Sequence, residues 1–499
     1  MTMHQHFLTN GTVSTHDWDC VSAVQVLDVN AAISGAGTSP QSFQQKIDDT
    51  IVQAKFGDWT MCEGGDGKNI HMRLPFRDLV ISDEDGTREI GAGQAEISLC
   101  LDFIPHDTLG DDTVEVRCLM VSRDVDAEGF RPVSVIDVDY DQRPFVVDRA
   151  AVTGGLGMWL QENLLTFAHV FAVVNIAKSV AEDEAFSWLR PTYATYAYCA
   201  HDGLSDDTFA VLCQTAGRTG DALVPELSPG AIRPGDRAAL LVSPERVLSD
   251  MIAPSLPVAF PGLPQDAVEV DAKNLALSFR GAAQLHDLKV DGKSYNPVLE
   301  KMDVSLLNTA LDMSLQTSTP IIPGVDSVTN ASSRSAIKLD KNKKGEKTLS
   351  FEEISKPDPI SHTRHAKGMI IAEIILGIIM AVAAAIGIVV TGGLAAVPAY
   401  LVTAALIGGT LATAGQMFIL VADMVADGNG PGLSGLLAQA GTDVIWPHGA
   451  ILDPANAGLV GPLQISGTLQ LPDDRMKSAN PFAEFQAIYG PKEEMTDEV

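Results

Sequence analysis

The sequence predicts an α+β fold that is rich in antiparallel sheet, and two observations support this class. Stretches in which apolar and polar residues alternate dominate the first 330 residues, and helical patterns occur between them. In AEISLCLDF (95–103), for example, apolar side chains recur at every second residue from Ile97 to Phe103. This is the period of a strand that buries one face and exposes the other.

The same alternation continues along the chain and gives further predicted strands. Long strands with one solvated face are typical of antiparallel sheets. These stretches are TVEVRCLMV (113–121), VSVIDVDYD (133–141), NLALSFRGAAQL (274–285), KMDVSLLNTALDMSLQ (301–316) and LQISGTLQLP (463–472).

Two helices are predicted between the strands. MWLQENLLTFAH (158–169) places apolar residues from Trp159 to Phe167 at helical spacing. SPERVLSDMIAP (243–254) begins with Ser243, whose side chain can cap a helix, and with Pro244, which suits the first turn. Pro254 is predicted to end this second helix, because proline lacks the N–H that a helix interior requires.

Length, composition and charge limit the class of protein. A chain of 499 residues predicts roughly two to four domains, and 46% apolar with 20% charged residues excludes disorder over the whole length. The net charge of −30 opposes nucleic-acid binding. Six cysteines without CxxC spacing predict reduced, partly buried thiols. The first residues lack the basic and apolar regions of a Sec signal peptide, so we expect a soluble protein that is cytoplasmic as made and released, if at all, by a non-Sec route.

A basic stretch precedes a long uncharged one. Residues 334–367 carry nine Lys or Arg against five acids, and Ile374–Ala422 contains no charged residue. TGGLAAVP interrupts the uncharged stretch, which predicts an apolar helical hairpin with arms near Met369–Val390 and Val397–Val425. Each arm reaches the ~20 residues that span a bilayer, but its many Ala and Gly residues also suit a buried hairpin. Membrane spanning, burial in the body and conditional insertion all stay open.

The predicted organisation therefore has three parts: a sheet and helix body (1–365), the apolar hairpin (366–428), and a C-terminal segment (429–499) with a strand that returns to the body and an acidic tail. Conditional lipid or membrane contact is assigned to the first hairpin arm and to the lysines before it, since each lysine near anionic headgroups contributes about 1 kcal/mol. These candidate contacts are Ile374, Ile378, Ile379, Met380, Lys341, Lys343, Lys344 and Lys347.

Two motifs imitate ligand sites, and both fail when their positions are counted. LDKNKKGEKTLSFEE resembles a calcium loop starting at Asp340, but Lys344 and Phe351 occupy ligand positions five and twelve. MCEGGDGK (61–68) resembles a phosphate loop, but Cys62 stands where its first glycine is needed. The sequence therefore predicts no enzyme, and no catalytic, metal-binding or cofactor-binding residue is assigned.

HDWDCVSAVQVLDVNAAI (16–33) resembles the N-terminus of the P-forty-seven-like and OrfX-type TULIP proteins, which are toxin-cluster accessory proteins. That family opens with a Gly-Trp-Asp-type motif and continues with an Asp-Val-Asn that begins a short helix. Trp18, Asp19 and the run Asp28–Asn30 match, and Asp17 replaces the glycine. Similar segments then follow in the family's order, so that the resemblance covers most of residues 15–475. They are LLTFAHVFAVVNI (164–176), FSWLRPTYATYAY (186–198), TFAVLCQTAG (208–217) and GDRAALLVSPERVLSDMIAPSL (235–256).

The resemblance implies a TULIP-like tubular fold, in which curved antiparallel sheets wrap around long helices. It also implies a non-enzymatic accessory protein of a bacterial toxin-type locus. Such a protein would bind a lipid or another hydrophobic ligand, or would act as an assembly scaffold for toxin-cluster proteins. A membrane-inserting component that uses the hairpin (369–425) is the alternative. Trp18 is interpreted as an N-terminal core anchor.

Overall fold

The computed structural model describes most of the body of the chain. The predicted hairpin (366–428) and the end of the chain after residue 470 lie outside the described residues. The described ranges are 13–106, 113–142, 144–178, 186–260, 262–264, 266–285, 288–290, 293–341, 345–355, 360–361, 433–447 and 450–470.

Strands make up most of these residues, and they are numbered here in chain order. The first thirteen are β1 Cys20–Gln25, β2 Ser42–Ile47, β3 Thr50–Phe56, β4 Thr60–Met61, β5 Ile70–Asp83, β6 Gly86–Leu99, β7 Leu101–Pro105, β8 Val114–Val121, β9 Val133–Tyr140, β10 Ala172–Ala177, β11 Pro191–Cys199, β12 Thr208–Thr215 and β13 Ala238–Val242. The others are β14 Glu269–Asp271, β15 Ala276–Gln284, β16 Leu288–Val290, β17 Lys293–Tyr295, β18 Val298–Leu306, β19 Leu311–Ile322, β20 Val325–Lys341, β21 Lys347–Ser355, β22 Ile360–Ser361, β23 Val444–Ile445, β24 Ile451–Leu459 and β25 Leu463–Gln470.

Helices are few among the described residues. Those of eight or more residues are α1 Val26–Ala36, α2 Val146–Asn163 and α3 Ser434–Asp443. Shorter helical segments are Leu164–Thr166, Ser187–Leu189 and the run from Pro244 to Ala259.

Four sheets of four or more strands organise the molecule, and every pairing between the described strands is antiparallel, as the alternation predicted. The central sheet has the order β11-β12-β1-β13-β25-β24. The N-terminal sheet is β2-β3-β5-β6-β9, with β4 on β5, and the long sheet is β14-β15-β18-β19-β20-β21, with β22 on β20. A smaller sheet is β23-β10-β8-β7, and β16 and β17 form a separate pair.

Helix α2 packs on the N-terminal sheet through an aromatic cluster. Trp159 lies against Phe43 and Phe56, with ring centroids 6.0 and 5.5 Å apart, and Phe167 lies 4.9 Å from Trp59. Trp159 and Phe167 are both buried, but the predicted helix (158–169) extends too far, because α2 ends at Asn163 and Phe167 follows the short segment Leu164–Thr166. The helix begins about three turns earlier than its apolar pattern indicated. The earlier turns contain Gly154 and Gly155, which allow close packing on the sheet but carry no apolar signal.

Further sequence-based boundaries were wrong, among them the predicted stretch at 301–316, which contains the end of β18, a turn and the start of β19. Pro254 does not end its helix, because it falls in the first turn of a new 3₁₀ segment, where no intrahelical N–H is needed, and helical backbone continues to Ala259. The alternating run at 95–103 is two strands, broken at Cys100: Leu99 pairs within the N-terminal sheet, whereas Leu101 pairs with β8 in the smaller sheet. Alternation persists across the break because both strands bury the same face.

The long helices and the apolar hairpin of the predicted tube are not shown by the described residues. The longest described helix is α2, with 18 residues. Within the described ranges, no helix combines the length and the hydropathy that crossing a bilayer requires. All six cysteines are free, and five are buried while Cys100 is half-buried, which confirms the prediction of unpaired thiols.

Candidate functional site

The long sheet holds both flanks of the segment that contains the predicted hairpin. Before the segment, β22 pairs with β20 at Thr329 and Asn330. After it, the Leu433 N–H donates to the Lys347 carbonyl at 2.7 Å. The candidate contacts within the segment and in the preceding turn lie outside the described residues. These are Ile374, Ile378, Ile379, Met380, Lys343 and Lys344.

The structure describes two of the four candidate lysines, and it gives them different environments. Lys341 is exposed at the end of β20 and lies directly across from Lys347, the first residue of β21. The Lys347 ammonium forms an ion pair with Asp453 of β24. Its charge therefore connects the long sheet to the central sheet, and Lys341 is the more available of the two for an anionic surface.

A cavity lies between α3 and the central sheet, at the place where a helix-and-sheet fold can hold a hydrophobic ligand. Its volume is about 30 Å³. That is close to the share of one water molecule in the liquid, whereas sites for drug-sized ligands measure roughly 300–1,000 Å³. The lining is mainly apolar and includes Ala23, Ala238, Leu240, Leu437, Val444 and Trp446.

Side chains fill the rest of this interface. Leu433 and Leu436, at the start of α3, are fully buried. Trp446 is also buried, and its indole N–H donates to the Ser22 hydroxyl of β1 at 3.1 Å. Trp446 meets Phe209 of β12 edge to face, with ring centroids 6.3 Å apart. The polar end of the tryptophan is thus satisfied while its ring occupies the space that a ligand would need.

Asp443 is a buried acid next to this cavity, and sequence reasoning missed it. It is the last residue of α3, and its carboxylate accepts a hydrogen bond from the Gln439 amide at 2.9 Å. Burial raises the pKa of Asp443 to about 7, although Gln439 and Arg190 act in the opposite direction. The surrounding LAQAGTDVIW has no local signal for this, because the burial comes from strands distant in sequence.

Sequence comparison now identifies the family. A family model described as OrfX-like, Protein OrfX2/OrfX3/P47, matches residues 15–467. The chain belongs to the OrfX-like family. The N-terminal resemblance is thereby confirmed, and proteins of this family are associated with toxin gene clusters.

Individual relatives agree with this assignment over nearly the whole length of the OrfX-like chain. It is 28% identical over 492 residues to Protein OrfX3 of Paraclostridium bifermentans, which covers 91% of this chain and 98% of the relative. It is 27% identical over 500 residues to Protein OrfX3 of Clostridium botulinum (strain Kyoto / Type A2), with coverages of 92% and 99%.

Solved structures share the fold of the OrfX-like chain. P47 from Clostridium botulinum A2 matches with a TM-score of 0.65 at 14% identity, over 91% of this chain and 98% of the other. P47 of Clostridium botulinum E1 matches with a TM-score of 0.62 at 13% identity, over 91% and 100%. At such identities the likeness concerns the fold alone.

The N-terminal motif of the OrfX-like chain has a structural role. Trp18 is fully buried, lies 6.1 Å from the ring of Tyr193, and donates its indole N–H to the Val224 carbonyl at 3.3 Å. Its interpretation as a core anchor agrees with this burial. Asp17 has φ of 66°, in the left-handed region that glycine adopts without strain. This explains why a glycine suits the position that Asp17 occupies here.

Asp19, the next residue of the motif, holds a buried charge cluster together. Its carboxylate accepts hydrogen bonds from the Thr215 N–H at 2.8 Å and the Thr215 hydroxyl at 3.1 Å. It also pairs with Arg218, and with Arg246 at 3.3 Å. Arg246 is itself buried and continues to Asp250 at 3.0 Å. The cluster thus joins β1, the end of β12 and the helical run that starts at Pro244.

Proposed function

We propose that this OrfX-like protein is a non-enzymatic accessory protein of a toxin-type locus and acts as an assembly scaffold whose interior is filled by its own side chains. One observation carries the proposal. The cavity between α3 and the central sheet measures about 30 Å³ and is closed by Trp446 and by the leucines of α3. The described interface between α3 and the central sheet therefore has no room for a lipid-sized ligand, and this leaves the outer surface to carry the function.

The buried polar groups of the central sheet support the same proposal. Asp207 is fully buried, and its carboxylate accepts hydrogen bonds from the Tyr198 hydroxyl and from the His201 N–H. Asp19 is likewise surrounded by donors from its own chain. These carboxylates connect strands and loops, so a structural role explains why they are buried.

Binding of a hydrophobic ligand is the second candidate, and one feature of the long sheet favours it. The hydroxyl oxygens of Thr317 and Thr319 on β19 and of Thr329 on β20 are buried, and none has a hydrogen-bond partner among the described residues. Thr317 and Thr329 lie directly across from each other. A buried hydroxyl without a partner costs about 1–3 kcal/mol, so a water or the polar group of a ligand would stabilise this row.

Lipid extraction separates the two candidates. The protein is purified without detergent, extracted with organic solvent, and the extract is analysed by mass spectrometry. The scaffold proposal expects lipid far below one molecule per chain. A stoichiometric lipid would overturn it in favour of the second candidate. In that case the double variant Thr317→Val, Thr329→Val should lower the lipid content, whereas Thr442→Val, at an exposed position, should not.

A further inference from the structure

An apolar tip projects from the beginning of α2. Phe145, Val146 and Val147 follow one another in the chain and are 78%, 79% and 70% exposed. Single exposed apolar side chains are ordinary on protein surfaces, but three consecutive large ones form a contiguous apolar surface. Their exposure to water is unfavourable unless something covers them.

Local structure gives no reason for apolar residues at this position. Phe145 is the N-cap residue of α2, and its side chain makes no capping hydrogen bond. Ser, Thr, Asp or Asn would stabilise this helix end by about 1 kcal/mol and would be more soluble. Apolar residues at a helix start that favours polar ones, where they bring no structural gain, indicate that they serve a function.

Two connections place the tip at one end of the N-terminal sheet. Asp148, in the first turn of α2, accepts a hydrogen bond from Arg88 at 3.0 Å, and Arg88 also binds Asp83 at 2.6 Å. Further along the helix, a Cβ at Gly154 would lie 3.6 Å from Ile47, the last residue of β2. The start of α2 therefore lies beside the turn between β5 and β6 and beyond the turn between β2 and β3.

Exposed carboxylates surround this end of the sheet. The β2–β3 turn carries Asp48 and Asp49, and the β5–β6 turn carries Glu84 and Asp85. The two turns are adjacent, because β3 pairs with β5 from Ile51 and Ser82 onward. Arg88 is already engaged with Asp83 and Asp148, and the four turn carboxylates outnumber the two exposed cations described at this end, Lys46 and Arg149. We call the apolar residues 145–147 and these four carboxylates the tip surface.

We propose that the tip surface is a docking site for a positively charged protein partner that places an apolar side chain against residues 145–147. This inference rests on the proposed scaffold function and names the chemistry of what the scaffold binds. An apolar centre with a charged rim is the anatomy of a protein interface. Carboxylates at the rim attract lysine and arginine and raise the association rate, while the apolar centre supplies affinity.

Charge argues against two other occupants. Anionic lipid headgroups would meet the carboxylates of both turns, within a chain of net charge −30. A second copy of this chain, related by a two-fold axis, would bring two acidic rims together. A basic protein segment complements the tip surface in both charge and hydrophobicity.

The test uses full-length protein and a fluorescein-labelled peptide, in which a Leu-Phe pair is flanked on each side by three lysines. A second peptide has glutamate in place of each lysine. We expect the lysine peptide alone to bind, measured by fluorescence anisotropy, and its binding to weaken as salt is added. The variant Phe145→Ser, Val147→Ser and the variant Glu84→Lys, Asp85→Lys should each weaken binding about tenfold.

Matched controls come from the loop between β8 and β9. Phe130 is 57% exposed and Glu128 is exposed, so Phe130→Ser and Glu128→Lys change the same side-chain types elsewhere. Both variants should bind the lysine peptide like the wild type. A photoreactive benzoylphenylalanine at position 146 should crosslink to the peptide, and one at position 130 should not. Circular dichroism verifies that each variant is folded.

Several results would overturn the inference. They are equal binding of the two peptides, wild-type affinity in both tip variants, equal crosslinking from positions 130 and 146, and tip-dependent binding to phosphatidylserine vesicles instead of to the peptide. The scaffold proposal is tested independently of this inference. Lipid extraction tests whether the interior holds a ligand, whereas peptide binding tests the tip surface. A lipid-filled protein whose tip still binds the peptide would contradict only the scaffold proposal.

Discussion

Asp19 is the carboxylate that pairs with both arginines of the buried cluster, Arg218 and Arg246. Replacing it with alanine leaves Arg246 buried with Asp250 as its remaining acidic partner. Removing one partner of a buried charge pair typically costs 3–5 kcal/mol, because the other charge stays buried without compensation. We therefore expect Asp19→Ala to lower the free energy of unfolding by about that amount, measured by urea denaturation.

An exposed ion pair supplies the control for this prediction. Asp303 pairs with Arg280, and both side chains are 52% exposed. Exposed pairs contribute at most about 1 kcal/mol, so Asp303→Ala should change stability little. Equal losses in the two variants would show that burial of the Asp19 cluster is not what makes it stabilising.

Asp443 should make stability depend on pH in the direction opposite to most acids. Its folded pKa of about 7 lies above its ordinary value of 3.8, so the folded state holds a proton that the unfolded state releases. The contribution of the neutral Asp443 carboxyl group to the stability of the folded state is complete below pH ~4, and it is lost as pH rises through ~7. Asp443→Asn keeps a neutral side chain at all pH values. We expect its melting temperature to exceed that of the wild type at pH 8.

The pH series contains its own check. Raising the pKa of Asp443 from 3.8 to about 7 corresponds to a loss of stability of at most about 4 kcal/mol at high pH, and the difference between variant and wild type should shrink toward pH 4. A constant difference between Asp443→Asn and wild type from pH 4 to pH 8 would mean that Asp443 is ionised throughout.

At the scale of elements, period-two alternation located several strands that bury one face, but not β5 and β20, whose burial also alternates. Its limit is visible at β12, which is buried along both faces. Phe209 and Val211 face the main core, while Ala210 and Leu212 face a second core that contains Trp18. A strand between two cores has no polar face, so its sequence shows no alternation. Sheet membership is also invisible locally, as the break at Cys100 shows.

Replacing either of two glycines with alanine should change the stability of the protein, in opposite directions. A Cβ at Gly467 of β25 would lie 2.0 Å from the Asp453 carbonyl oxygen, so Gly467→Ala must move the β24–β25 hairpin and should cost about 1–3 kcal/mol. A Cβ at Gly441 in α3 would lie 3.9 Å from Ile451. Gly441→Ala should therefore stabilise α3 by about 0.5–1 kcal/mol. Thermal unfolding of both variants tests this, and the same sign for both would contradict it.

At the scale of the whole molecule, the sequence located parts of the candidate site but not their surroundings. Trp18 was placed in the core because its motif was recognisable, and the alternation found at least one strand of each of the four large sheets. The partner of Lys347 is Asp453, which is 106 residues away, and nothing near either residue indicates the pair. The exposure of Phe145 could not be predicted from the sequence either, since PFVV (144–147) has the composition of a buried segment.

The central sheet also has a consequence for the timing of synthesis. Its neighbouring strands β1, β13 and β25 come from the beginning, the middle and the end of the described chain. While the protein is being made, β13 has β1 on one side, but its other edge stays open until residues 463–470 emerge from the ribosome. An open strand edge can pair with other nascent chains. Closure of the sheet is therefore a late step that waits for β25, and a chaperone that shields the edge of β13 until then would raise the yield of folded protein.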